Sequence, residues 1–383
     1  GQAVKDISMK GIFMEKSLKK DIIINRLPVV IYFILIFPAL MVIISAVAPM
    51  SNHEPKTTDT YSDFSTGWLN CEESEASLDH LSGTTVIHRT ITAADCNKTL
   101  FFFAKTSNIK VFIDGVCQYR NNHFCSQFFG KTPGALFVNV LIPAESDGKL
   151  LEIEIENPYK DDDSAKLDEM YIGDISDIIQ FQQQKRFNSF CISFIIMVLG
   201  VVMLLLFIPL TRQKIVGIEF LNLGVTAFVS GLYLTTDGRY LQLVFGDAHI
   251  YHVIAETALR LSILPFLIFL SQMYESYSKR ISAILCVIGE IAFAGCFIGE
   301  ITEIMDYHET LFLVHVVFAI SMLFILVSTI KGIVKAPKEN IYHNIGCIVL
   351  SFMAMTDIII LWRGTGRETS YFIRLGILIF FFM

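Results

Sequence analysis

"KLLEIEIENPY", residues 149–159, alternates apolar and acidic side chains without a break: Leu151, Ile153 and Ile155 on one side, Glu152, Glu154 and Glu156 on the other. A period of two is the mark of a β-strand with one buried and one wet face. Working outward, "NIKVFIDGVCQY" (108–119) repeats the pattern with Ile109, Val111 and Ile113, then meets Asp114-Gly115, a dipeptide that supplies the positive φ of a tight hairpin. "TTVIHRTIT" (84–92), "TLFFFAKT" (99–106), "ALFVNVLI" (135–142) and "LDEMYIGD" (167–174) read the same way. About seven strands in roughly 120 residues predict an all-β sandwich over residues 50–187.

The rest of the chain is of another kind. With 383 residues, 53% hydrophobic and 17% charged, and a mean hydropathy of +0.54, the whole is too apolar for a soluble globule and reads as a multi-domain membrane protein. Of its net charge of -7, residues 50–187 carry 21 acidic against 12 basic residues, the remainder 16 against 18. An acidic water-facing domain with no basic, aromatic-interleaved patch excludes nucleic acid as a partner. "LPVVIYFILIFPALMVIISAVA", Leu27–Ala48, is 22 residues without a charge, enough to cross a ~30 Å hydrocarbon core. Lys16, Lys19, Lys20 and Arg26 precede it, so residues 1–26 are expected in the cytoplasm, residues 27–49 as a membrane anchor, and residue 50 onward outside. Ala46-Val47-Ala48 imitates a signal-peptidase site, but Pro49 would follow it and the run is long for a signal peptide; an uncleaved anchor is the preferred reading. "MEKSLKKD" from Met14 resembles an ordinary start, which sets residues 1–13 apart as upstream sequence.

Residues 188–383 predict an α-helical seven-transmembrane bundle, with helices near 188–210, 215–236, 252–273, 281–301, 309–330, 341–362 and from 371 onward. Connections expected in the cytoplasm hold Arg212, Lys214, Lys279, Arg280, Lys331, Lys335 and Lys338; those expected outside hold Arg239, Arg363 and Arg367. Seven against three supports the alternation. The last helix has 13 residues after it begins at Tyr371, about 20 Å, short of a crossing, so the chain is expected to continue past Met383 into the cytoplasm.

"VFIDGVCQY" (111–119), "FGKTPGALFVNVLIPAE" (129–145) and "LLEIEIENPY" (150–159), followed in the bundle by "GLYLTTDGRYLQLVFG" (231–246) and "LRLSILPFLIFL" (259–270), resemble the bacterial seven-transmembrane receptors with diverse intracellular signalling modules, of the clostridial type. The resemblance spans about residues 60–383. It implies an exported galactose-binding-like jelly roll, a receptor that relays a ligand signal through seven helices, and an output domain, usually a GGDEF diguanylate cyclase or a histidine kinase, which needs a homodimer. Neither output motif occurs in the chain.

No HExxH, G-x-S-x-G or P-loop pattern occurs, so no catalytic residue, cofactor or metal site is assigned. "KDDDS" (160–164) lacks the alternating spacing of a calcium loop and reads as solvated; His53, His80, His88 and His123 lack ligand spacing. Cys71, Cys96, Cys117 and Cys125 allow three disulfide pairings or none. Candidate ligand-binding residues gather in "QYRNNHFCSQFFGKTPG" (118–134): Tyr119, Arg120, Asn121, His123, Phe124 and Lys131, aromatic faces beside polar donors that suit a sugar or small polar metabolite. Phe128 and Phe129 serve equally as core or docking residues. Inside the helices, Glu256, Arg260, Glu290, His315, Asp357 and Arg374 form a candidate polar network, with Glu256 and Arg260 one turn apart; structural pairing and a switching relay are the two readings. Gly217, Gly224 and Gly231, at seven-residue spacing, predict close helix packing. A transporter with an accessory binding domain is the alternative function, and a surface carbohydrate-binding protein a third; no internal repeat favours the transporter.

Overall fold

The computed structural model describes residues 60–121, 131, 134–159, 165–273, 277–335, 341–362 and 370–383. The apolar run Leu27–Ala48, His53, the segment from 122 to 130 with His123, Phe124, Cys125, Phe128 and Phe129, and "KDDDS" lie outside the described residues.

Among the described residues nine strands form two antiparallel sheets. β1 (Tyr61–Asp63), β9 (Lys166–Gly173), β4 (Thr99–Lys105) and β7 (Ala135–Leu141) are neighbours in that order; β2 (Leu69–Asn70), β3 (Thr84–Thr90), β8 (Leu150–Glu156), β5 (Asn108–Ile113) and β6 (Val116–Arg120) make the other sheet. Every run with a period of two is a strand. Asp114 and Gly115, both at positive φ (52° and 74°), turn β5 into β6. The two sheets enclose one apolar core in which Ile153 of β8 sits between Ile87 of β3 and Val111 of β5, facing Phe102 and Val138 of the opposite sheet. Trp68 closes one end, its indole N–H donating to the Phe64 carbonyl at 2.8 Å.

β4 departs from simple alternation. Leu100, Phe102 and Ala104 enter the sandwich core, yet Phe101 and Phe103, pointing the other way, are buried as well. A strand buried on both faces needs a second layer, and the helices provide it.

β9 runs directly into α1 (Ile175–Arg212), which is followed by α2 (Ile218–Asp237), the short α3 (Tyr240–Phe245), α4 (Ala248–Met273), α5 (Tyr277–Ile301), α6 (Tyr307–Lys335), α7 (Ile341–Trp362) and α8 (Tyr371–Phe382). Six of these are long and apolar enough to cross a membrane; α8 is apolar and shorter. α1 packs on α2, α2 on α4, α4 on α5 and α6, α6 on α7, α7 on α8, and α8 touches α1. The helices stand close to their expected positions, with one informative difference. α1 begins at Ile175 rather than near 188, because Asp174 caps it by accepting from the Ser176 N–H at 2.8 Å. Its first turns, "ISDIIQFQQQKR", are too polar to read as membrane helix, and its 38 residues, about 57 Å at helical rise, outreach a bilayer core. Gly224 and Gly231 do bring helices together: a Cβ on Gly231 would lie 2.3 Å from the Met197 nitrogen of α1, and on Gly224 3.1 Å from Met203. Gly217 instead caps α2.

Candidate functional site at the junction of sandwich and bundle

The sandwich meets the helices through three sets of contacts, with the β1-β9-β4-β7 sheet against α1, α3 and α4 and flanking residues against α2 and α6. The first grows from an irregularity. Between Phe101 and Phe103 the β4–β9 register slips, so that Glu169 and Met170 of β9 together oppose Phe102 in a bulge, with Glu169 at φ 50°. Met170 enters the core, and the Glu169 carboxylate meets the α1 overhang, where Arg186 donates through one nitrogen at 2.7 and 2.9 Å and Lys185 at 2.9 Å. Arg186 also lies over the Phe137 ring at 5.0 Å and bonds to Gln182 one turn back. Burial would raise the Glu169 carboxyl, but Arg186 and Lys185 outweigh it and hold the group below its ordinary value. Nearby, burial and then the Glu169 charge push the Tyr171 phenol up to about 12. Tyr61 and Tyr171 pack on Phe181 of α1, with centroids 5.7 and 5.8 Å apart.

The second set joins the sandwich to α6. Asp306 and Glu309 form a reciprocal cap: Asp306 accepts from the Glu309 N–H at 3.0 Å, and Glu309 accepts from the Asp306 N–H at 2.9 Å. The same two carboxylates receive the sandwich. Lys131 pairs with Glu309 through its ammonium and donates its backbone N–H to Asp306 at 3.2 Å; the Tyr159 hydroxyl also bonds Asp306, while its ring lies 4.4 Å from that of His308.

The third set is a turn. Arg239, at φ 61° between α2 and α3, holds its guanidinium 4.0 Å over Phe103. Gln242 of α3 lies against the free edge of β7, its carboxamide in reach of the Phe137 N–H (2.9 Å) and the Ala135 carbonyl (3.3 Å). Gly134, at φ 77°, admits His252 so closely that a Cβ there would lie 2.5 Å from its ring.

Within the helices, five of the six ionisable residues singled out above have inward partners or burial. Glu256 pairs with Arg260 at 2.6 Å, and Arg260 donates on to the Tyr307 carbonyl at 2.7 Å and the Thr310 hydroxyl at 3.2 Å. His315 is buried within electrostatic reach of both. Asp357 of α7 accepts from the N–H groups of Phe372 (3.3 Å) and Ile373 (2.6 Å), capping α8 from outside its own helix. Arg374 donates to Ser193 of α1 at 3.1 Å. At the start of α8, Ser370 lies 3.1 Å from the Tyr233 hydroxyl and donates to Asp237 at 3.3 Å. Glu290 is exposed on α5, one turn from Cys286 and without an ion pair among the described residues.

Of the candidate ligand loop, the described residues Tyr119, Arg120, Asn121 and Lys131 have separate surroundings. Tyr119 packs half-buried against the sandwich core, Arg120 is exposed opposite Lys110, and Asn121 accepts from the Ile109 N–H at 2.9 Å. Lys131 belongs to the α6 contact. Cys71, Cys96 and Cys117 are free, and no group of His, Cys, Asp and Glu among the described residues is arranged to hold a metal ion. Sequence reasoning passed over Glu169, Arg186, Tyr159, Asp306 and Glu309; only the Asp-x-x-Glu spacing of the last two carried a local signal, that of a helix cap. No family model, curated protein or solved structure matches the chain.

Proposed function

We propose that this chain is the sensing and relay portion of a signal-transduction receptor of the cell membrane. In this reading the sandwich lies outside, takes a sugar or small polar metabolite, and drives a homodimeric bundle whose far end addresses a cytoplasmic output, a diguanylate cyclase by resemblance. One observation carries it: the last strand of the sandwich continues into α1 with only Asp174 between, and the bulge beside it is held to the overhang of the same helix by Glu169, Lys185 and Arg186. A domain joined without a flexible linker, and by buried charges, passes displacement to the helices; a tethered capture domain would not. The strand order supports a jelly roll, since one sheet takes β1, β9, β4 and β7 and its partner β3, β8, β5 and β6, an interleaving of two Greek keys. α8 is apolar but too short to cross by itself, so the seventh crossing of this reading rests on the resemblance. The lysine and arginine count favours the outward sandwich. The transporter alternative expects helices broken at mid-membrane, whereas α4 continues through Pro265.

The test uses the full chain in lipid nanodiscs, screened against sugars, amino acids and polar metabolites by thermal shift. Spin labels at Arg212 and Lys331 then read the far ends of α1 and α6. A receptor changes that distance when its ligand binds; uptake of the same ligand into proteoliposomes, with the distance unchanged, would refute the reading in favour of a transporter.

A further inference from the structure

We propose that the face of α5 around Glu290 is the surface on which two copies of this chain pair. α5 turns Ser282, Cys286, Gly289 and Cys296 inward, where Ser282 donates to the Leu267 carbonyl of α4 at 2.7 Å and a Cβ on Gly289 would lie 2.6 Å from Leu264. Its opposite side is exposed and apolar, with Ile284, Val287, Ile288, Ile291 and Ile298, and Glu290 stands at the edge of this arc nearest Val287 and Ile298. Lipid would suffice to cover such a face but for Glu290. That carboxyl is ten residues from Arg280 and eleven from Ile301, the ends of the apolar span, and so stands at its centre. An ionisable group facing hydrocarbon at that depth is costly and calls for a hydrogen-bonding partner.

The partner must offer a polar group at the same depth. The chain's own candidate anchor offers none, because every side chain from Phe33 to Ile44, its middle, is apolar. A second copy related by a two-fold axis along the membrane normal presents Glu290 to Glu290 at equal height. A carboxylic acid is self-complementary, one donor and one acceptor, so two of them satisfy each other where two lysines or arginines would not. The face also admits close approach. Ala283 and Ala294, two turns and one turn from Glu290 on the same side of the helix, are small and exposed. The inference deepens the homodimer of the receptor reading and rests on that reading's membrane placement, but its test does not involve ligand and fails separately.

The test places single cysteines on the full chain in native membranes, Val287→Cys and Ala294→Cys on the proposed face and Phe312→Cys on the exposed side of α6, and oxidises them with copper-phenanthroline. The parent chain serves as control for the native thiols. The first two should give covalent dimers above the parent, and the third should not. In nanodiscs, with folding checked by thermal shift, Glu290→Ala should weaken association by about threefold to tenfold, while Glu290→Gln, still donor and acceptor, should keep it. Monomers at both positions, equal cross-linking at Phe312, cross-linking of Ala294→Cys to a cysteine placed in Leu27–Ala48, or undiminished association of Glu290→Ala would each overturn the proposal.

Discussion

Cutting the Glu169–Arg186 pair tests the junction most directly. Arg186 is 3% exposed in its side chain and Glu169 15%, so neither charge is well served by water once its partner leaves. Removing one member of such a pair costs about 3–5 kcal/mol, because the survivor stays buried and uncompensated. The two deletions are not equivalent. Glu169→Ala strands Arg186 and falls in that range. Arg186→Ala leaves Glu169 with Lys185, 39% exposed, an ion pair worth under about 1 kcal/mol, but also removes the cation from over Phe137, worth about 1 kcal/mol. The combination Glu169→Gln with Arg186→Met replaces both charges at similar volume and should cost less than the sum of its single changes by about 2 kcal/mol. Hydrogen exchange in nanodiscs reads the quantity locally, as the opening free energy of the amides of β9 and the first turns of α1. A 3 kcal/mol loss corresponds to exchange faster by about 150-fold. Additivity of the single changes within about 0.5 kcal/mol, or unchanged exchange in Glu169→Ala, would refute the claim that this pair couples sandwich to bundle.

The same pair sets a pH dependence. The folded Glu169 carboxyl lies below its ordinary 4.5, so its stabilisation is fully present above that value and is lost as pH falls through the folded one; protection of β9 should stay level from neutrality to about pH 5 and decline only in stronger acid. Gly231→Val sets a side chain against the backbone of α1, where a Cβ already lies 2.3 Å from the Met197 nitrogen, and should cost more than the ~1–3 kcal/mol of ordinary overpacking; Gly295→Val, with open space around it, should leave the melting temperature of the protomer nearly unchanged. For orientation, in a chain with Cys71 and Cys117 replaced by serine, Asp114→Cys should react with an impermeant maleimide on whole cells and Lys331→Cys should not; the reverse labelling would overturn the outward sandwich.

Sequence alone revealed those parts of the fold whose signal is local. Alternation places β3, β5, β7, β8 and β9 because each faces core on one side, the apolar run of β4 marks a strand buried on both faces, and Asp114-Gly115 fixes the hairpin into β6 because few other residues accept that φ. β1 and β2, three and two residues long, are too short to show a period and owe their place to pairing with β9 and β3. The junction is illegible for a different reason. Glu169 looks like one more outward acid of a strand until the slip of β4 against β9 is known, and Lys131 finds Asp306 across 175 positions of chain. The five inward ionisable residues and Glu290 look alike in sequence, equally charged within apolar runs; only packing tells which way each faces.

The junction and the polar residues of the helices belong to one connected structure, and this gives the relay reading its physical content. Phe103 lies in β4, the strand paired with the bulge, and Arg239 sits on its ring. Two residues back, Asp237 ends α2 and accepts from Ser370, at the head of α8. The first turn of α8 has no other freedom, since Asp357 of α7 takes its N–H groups and Arg374 reaches Ser193 of α1. A shift of the sheet at Phe103 therefore cannot be absorbed by α2 alone; it must either break the Ser370 hydrogen bond or carry α8 with it. Buried hydrogen bonds cost about 1–3 kcal/mol to leave unmade, so a shift that keeps them all moves α8 together with α1 and α7. Coupling of this kind needs no contiguous wire of ligand contacts, only one helix start held by three others, two of which, α1 and α2, are held by the sandwich.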